Sequence, residues 1–194
     1  MKDSGSILFS GVGGQGILLA SEVIAYALLE AGYDAKKSEV HGMAQRGGSV
    51  TAELRYGRKV YSPLIEPGQA DLLMAFEMME AARYLPMLHA QSRVIVNTQK
   101  ILPPAVATGK MNYPEDVLTT LVRQGISLIK VDAFELAKEA GEIRTVNIVM
   151  VGVLSTFLPM DVGLYTEVIS SLVKEAFREV NLKAFELGRK AAKH

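Results

Sequence analysis

Apolar runs and helical stretches alternate along the chain, and their spacing predicts a layered α/β protein. Ser6 to Ser10 is a short apolar run stopped by glycines, and Ile17 to Leu29 follows as an apolar, alanine-rich helix. Gly32 ends that helix, and Tyr33 to Ser38 is short enough for a second strand before a polar segment, Glu39 to Gly48. From Val50 the pattern alternates, with Val50, Ala52, Leu54 and Tyr56 on one face and Thr51, Glu53 and Arg55 on the other. Gly57-Arg58-Lys59 then reads as a turn into Val60 to Ser62, which predicts an antiparallel hairpin.

Asp71 to Phe76 and Arg93 to Asn97 read as buried strands flanking a helix, Met78 to Leu88, interrupted at Pro86. Ile101 to Pro114 carries three prolines and Gly109 and reads as an irregular connection. A helix over Glu115 to Gln124, a strand over Ser127 to Val131 and a short helix capped by Asp132 and running to Ala140 come next. Thr145 to Phe157 and Leu164 to Lys190 show no period-two alternation and are expected as two closing helices. The expectation is one α/β domain over residues 1–194, with no internal repeat or linker. Its architecture is a three-layer Rossmann-like open, mostly parallel sheet with an antiparallel hairpin and a helical C-terminal end.

Composition narrows the chemistry. The 194 residues are 49% hydrophobic and 22% charged, which suits a globular chain. Lys and Arg number 21 and Asp and Glu 21, so no global basic field draws nucleic acid or an acidic membrane. There is no cysteine, which removes disulfides, thiolate nucleophiles and cysteine-held clusters from this chain. With three histidines, His41, His89 and His194, no histidine metal cluster is readable. The first ten residues lack a basic, then apolar, leader pattern, and the most apolar stretch, Val146 to Leu158, is thirteen residues long. That falls short of the roughly 20 needed to span a bilayer, so cytoplasm is the expected location.

Two loops carry candidate chemistry. Gly11, Gly13 and Gly16 satisfy G-x-G-x-x-G after a strand and at the mouth of a helix, where glycines let backbone N–H groups approach a phosphate. The alternative is a turn serving only close helix–strand packing. A dinucleotide site also wants an acidic residue about 20 positions on, at the end of the second strand. Asp34 stands at the beginning of that strand instead of at its end, and Glu39 a few residues late, so a different phosphate-bearing ligand gains ground over NAD. The second loop, His41 to Ser49, gathers an imidazole, an amide, a guanidinium, a hydroxyl and glycines. It should emerge at the same carboxyl-end edge of the sheet, where open α/β sheets bind ligands, with Arg46 able to hold an anion through its fork. A solvent-exposed or structurally bonded imidazole is the alternative for His41.

At these loops the sequence becomes recognisable. GVGGQG followed by Ser38 to Val50, then Tyr61-Ser62-Pro63-Leu64-Ile65, Ala70-Asp71 and Arg144-Thr145-Val146-Asn147, resembles the gamma domain of the thiamine-diphosphate-dependent 2-oxoacid:ferredoxin oxidoreductases. The similarity is nearest to the small (beta) subunits of the indolepyruvate branch. It implies one component of a heteromeric enzyme, inactive alone, that oxidatively decarboxylates a 2-oxoacid to acyl-coenzyme A and CO2 and passes electrons to ferredoxin. Thiamine diphosphate with Mg and the 4Fe-4S clusters would sit on companion chains; the absent cysteines and absent G-D-G thiamine signature here agree. Carried over by resemblance, Gly11, Gly13, Gly14, Gln15 and Gly16 form the phosphate loop for coenzyme A. His41, Gln45, Arg46, Gly47, Gly48 and Ser49 form the facing loop near the active centre, with His41, Gln45 and Arg46 as contributors to catalysis and no metal ligand. Two other classes stay open: an independent nucleotide-binding oxidoreductase and a regulatory nucleotide-binding module. Met74, Met78 and Met79 near Phe76 are read as core first and as an interface second.

Overall fold

The computed structural model describes residues 4–41, 48–102, 104–110, 112–114, 116–123 and 125–192. In chain order the elements are β1 (Gly5–Val12), α1 (Ile17–Glu30), β2 (Asp34–His41), β3 (Ser49–Gly57), β4 (Ala70–Ala75) and α2 (Met78–Arg83). They continue with β5 (Leu88–Asn97), α3 (Pro104–Ala107), α4 (Val117–Arg123), β6 (Ser127–Val131) and α5 (Ala133–Ala140). Three helices close the chain: α6 (Val146–Ser155), α7 (Val162–Leu172) and α8 (Arg178–Ala191). The strands form one sheet in the order β2-β3-β1-β4-β5-β6. β1, β4, β5 and β6 run parallel, while β3 lies antiparallel between β1 and β2.

The parallel strands are buried on both faces, which is why they read as continuous apolar runs. Ile7, Phe9, Met74 and Ile95 face a core built with α1, α5, α6, α7 and α8. Leu8, Leu73, Val94 and Val96 face the opposite core, built with α2 and α4. The result is the expected three-layer open sheet with a helical C-terminal end.

Four expectations need correction. The antiparallel hairpin is β2 with β3, not β3 with Val60 to Ser62: eight pairs run from Asp34↔Gly57 to His41↔Val50. The Val60 backbone N–H instead donates to Asp34 Oδ2 at 2.8 Å, so the chain after Gly57 crosses the sheet edge without joining a ladder. The helix expected from Met78 to Leu88 stops at Arg83. A 3-10 turn over Leu85–Met87 carries Pro86, and β5 begins five residues before the expected Arg93. The continuous helix expected from Leu164 to Lys190 is two helices. Val173 and Lys174 are extended, at ψ 150° and 143°, and the break lets α8 fold back on α6. Finally, β1 runs through Gly11 to Val12, so the first two positions of the glycine loop belong to the strand.

α6 and α8 meet through facing glycines. A Cβ on Gly152 would lie 2.2 Å from the Phe185 carbonyl oxygen, and one on Gly188 would lie 2.0 Å from that of Val149. The bare backbones therefore touch, and the whole of α6 from Asn147 to Ser155 is buried.

Candidate functional site

The site is built at the carboxyl ends of β1, β4 and β5. The chain leaves β1 at Val12, turns through Gly13 to Gly16 and enters α1. Gly16 is the N-cap in a left-handed conformation, φ 76°, and a Cβ there would fall 2.6 Å from the Asn147 side-chain nitrogen. Only glycine meets both conditions. Asn147, in the first turn of α6, donates from Nδ2 to the Gly16 carbonyl at 3.3 Å and so ties α6 to the loop.

Gln15 brackets the turn. Its Oε1 accepts the Val12 N–H at 2.8 Å, and its Nε2 donates to the Phe76 carbonyl at 2.8 Å and to Gln99 Oε1 at 3.4 Å. Buried Asn97 continues this seam. Its Nδ2 donates to the same Phe76 carbonyl at 3.2 Å, and its Oδ1 accepts the first N–H of α5, from Ala133, at 3.2 Å. The ends of three strands and the starts of α1 and α5 are thereby held in one hydrogen-bonded line.

The N-terminus of α1 has no side-chain cap among the described residues. α2, α5 and α7 are capped by the carboxylates of Glu77, Asp132 and Asp161; α1, like α6, has no side-chain cap and no acidic residue in its first turn. Gly14 is exposed, and a Cβ there would meet nothing within 4 Å. The positive end of the helix dipole and the exposed Gly14 stand together at this edge, a setting that suits a phosphate.

The second loop arrives at the same edge. The Gly13 N–H donates to the Gly48 carbonyl at 2.9 Å, and Val12 stands opposite Ser49 in the β1–β3 ladder. Both loops expected from the sequence therefore meet. The His41 backbone ends β2 opposite Val50; Gln45, Arg46 and Gly47 lie outside the described residues. Ser49 Oγ donates to Glu80 Oε2 at 2.5 Å and lies 3.4 Å from the Tyr84 hydroxyl. Glu80 is buried, with Arg83 Nε donating to its Oε1 at 2.9 Å. Ser49 is thus an anchor of the loop's return on α2.

Sequence reasoning missed the groups that support this edge. Glu77, 1% exposed, caps α2 through Met79 N–H at 2.7 Å, and its other oxygen accepts the Tyr113 hydroxyl at 2.5 Å and the Ile101 N–H at 3.3 Å. It lies where a strand gives way to a helix, the place an N-cap signal is sought. Asn97, polar at the end of an apolar strand, was the other legible signal.

At the opposite, amino-terminal edge lies a cleft of about 1060 Å³, lined among others by Gly5, Tyr56, Lys59, Asp71 and His89. It contains none of the residues expected at the site. Its Tyr56 hydroxyl is pushed up to about 12 by burial and, to a lesser degree, by the nearby Asp71 carboxylate and Tyr33. Among the described residues no group of three or more acidic or histidine side chains is placed to hold a metal ion, and no helix is long and apolar enough to cross a membrane.

Residues 6–191 match the family described as pyruvate ferredoxin/flavodoxin oxidoreductase. The chain belongs to this family. It is 42% identical over 193 residues to the indolepyruvate oxidoreductase subunit IorB of Thermococcus kodakarensis, covering 97% of this chain and 96% of that one. To the IorB subunit of Archaeoglobus fulgidus it is 41% identical, covering 94% and 92%. The gamma subunit of a keto/oxoacid ferredoxin oxidoreductase from Geobacter sulfurreducens superposes with a TM-score of 0.73 at 25% identity, covering 97% of this chain and 98% of that one. The same fold spans 32% of a 2-oxoglutarate:ferredoxin oxidoreductase chain from Magnetococcus marinus, with a TM-score of 0.78 at 22% identity over 100% of this chain. That enzyme was solved with 2-oxoglutarate, coenzyme A and succinyl-CoA bound. The chain is accordingly a gamma-type subunit of a 2-oxoacid:ferredoxin oxidoreductase.

Proposed function

We propose that this subunit binds coenzyme A between its two loops and presents the thiol end to a 2-oxoacid, an aryl pyruvate such as indolepyruvate, being decarboxylated on a companion chain. The observation that carries the reading is the Gly13–Gly48 hydrogen bond, which fastens the second loop beside the uncapped N-terminus of α1. The α1 N–H groups suit the diphosphate, and Arg46 suits a second anionic group of coenzyme A or of the substrate. Coenzyme A is a substrate here: its sulfur takes the acyl group, and this chain's part is to hold and orient it.

Thiamine diphosphate with Mg and the 4Fe-4S clusters reside on the companion, in keeping with a chain that has no cysteine. Electrons leave through those clusters to ferredoxin, and the complex works in the cytoplasm. The preference for aryl pyruvates rests on the 42% identity to an indolepyruvate oxidoreductase subunit.

The test is made on the enzyme assembled with its companion chain. Arg46→Ala should raise the apparent KM for coenzyme A about tenfold or more, as loss of one charge-assisted pair predicts, with kcat at saturating oxoacid little changed. An unchanged KM removes Arg46 from the coenzyme A site. Equal turnover of pyruvate and indolepyruvate overturns the aryl assignment.

A further inference from the structure

We propose that β2 is a self-association edge: it pairs antiparallel with β2 of a second copy of this chain, joining two sheets into one. The proposal does not depend on the coenzyme A reading.

β2 is the outer strand of the sheet, bonded to β3 on one side and to no described strand on the other. Such an edge is a template for pairing unless it is blunted. Alternation places Ala35, Lys37 and Glu39 on the face covered by α1, and Lys37 Nζ lies 4.0 Å from Glu22 of that helix. The helical period puts Leu18, Glu22, Ala25 and Leu29 on the same flank of α1, and Leu29 is 45% exposed. On the other face of the strand Val40 is 57% exposed. The edge therefore has an apolar residue on one face and a partly apolar helix flank beside the other.

The charges select the occupant. Lys37 Nζ is 2.6 Å from Glu39 Oε1 within the strand. A two-fold axis perpendicular to the sheet through Ser38 sets Lys37 opposite the partner's Glu39, and Glu39 opposite the partner's Lys37. Each cation then stands between two carboxylates and each carboxylate between two cations. On the other face Lys36 lies opposite the partner's Val40, its methylene stem against the isopropyl group. Moving the axis one residue to Lys37 opposes two lysines, and moving it to Glu39 opposes two glutamates. Like charges directly opposite are unfavourable, so of these three registers the sequence of β2 favours the one centred on Ser38.

Sedimentation or light scattering of the full chain across concentration and salt tests this, with folding checked by circular dichroism. K37E and E39K should each weaken self-association about tenfold, because each reversal is felt twice across the axis. An equimolar mixture of the two variants should form a heterodimer, and the double variant K37E/E39K should self-associate again. The chain has no cysteine, so S38C supplies a lone thiol on the axis. Under mild oxidation it should cross-link two copies, alone and in the complex with its companion, whereas K36C, opposite Val40, should not. A monomer at every concentration, failure of the mixture to pair, or equal cross-linking by both thiols overturns the proposal.

Discussion

Gln15 shows how one side chain fixes a ligand loop. Its amide spends acceptor and donor on the backbone of two strands, Val12 and Phe76, and so holds the turn open for its glycine neighbours. Gln15→Ala leaves the Val12 N–H without its partner and takes one of two donors from the Phe76 carbonyl, which keeps Asn97, at a cost of about 1–3 kcal/mol. A lower urea midpoint with unchanged m-value, together with weaker coenzyme A use in the complex, is the expected result. The motif was legible as glycines; the bracket was not, because its partner Phe76 lies 61 residues away and carries no side-chain signal in its carbonyl. A second residue-scale prediction concerns pH. The Arg144 guanidinium, at 2.7 Å, and its backbone N–H, at 3.1 Å, hold the Glu142 carboxyl down at about 2 from an ordinary value near 4.5. A depressed carboxylate stabilises the fold above its unfolded value and loses that contribution as pH falls from about 4.5 toward 2. Thermal melts of wild type and Glu142→Gln should therefore differ at pH 6 and converge near pH 2.

Among the elements, the parallel strands were legible because burial on both faces leaves them uniformly apolar, and β6 was read to the residue. The hairpin was misassigned because β2, with Lys36, Lys37 and Glu39, is an edge strand whose polarity hides its pairing. The break between α7 and α8 was invisible, since neither Val173 nor Lys174 is a residue that stops helices. What decides it is tertiary: α8 must turn back to lay Gly188 on α6. Gly188→Ala forces a methyl against the Val149 carbonyl, so the two helices must part. Overpacking of this kind costs about 2–3 kcal/mol, and the thermal midpoint should fall by several degrees. Ala184→Ser, on the same helix face, is a milder comparison that keeps the glycine contact.

For the molecule as a whole, the expectation from the family is that the subunit works only in company. The isolated chain should show no coenzyme A-dependent oxidation of indolepyruvate with a dye acceptor, and adding its companion subunit should give that activity. Turnover by the isolated chain would refute that division of labour. Which residues meet the companion was not legible, because an interface is written in exposed positions that follow no period. The edge where Gly13 meets Gly48 was legible in outline because glycines mark both loops in the sequence.

The insertion of β3 between β1 and β2 has a further meaning. β2 ends at His41 and β3 begins at Ser49, and His41 and Val50 stand opposite each other on one rung of the ladder. The sequence between them is therefore joined at both ends to paired strands. Its length and chemistry can change without shifting a strand, and loops of this kind carry specificity on a constant scaffold. Exchanging residues 42–47 with those of a relative should therefore leave the sheet's stability unchanged, which thermal melts of the exchanged chain would check.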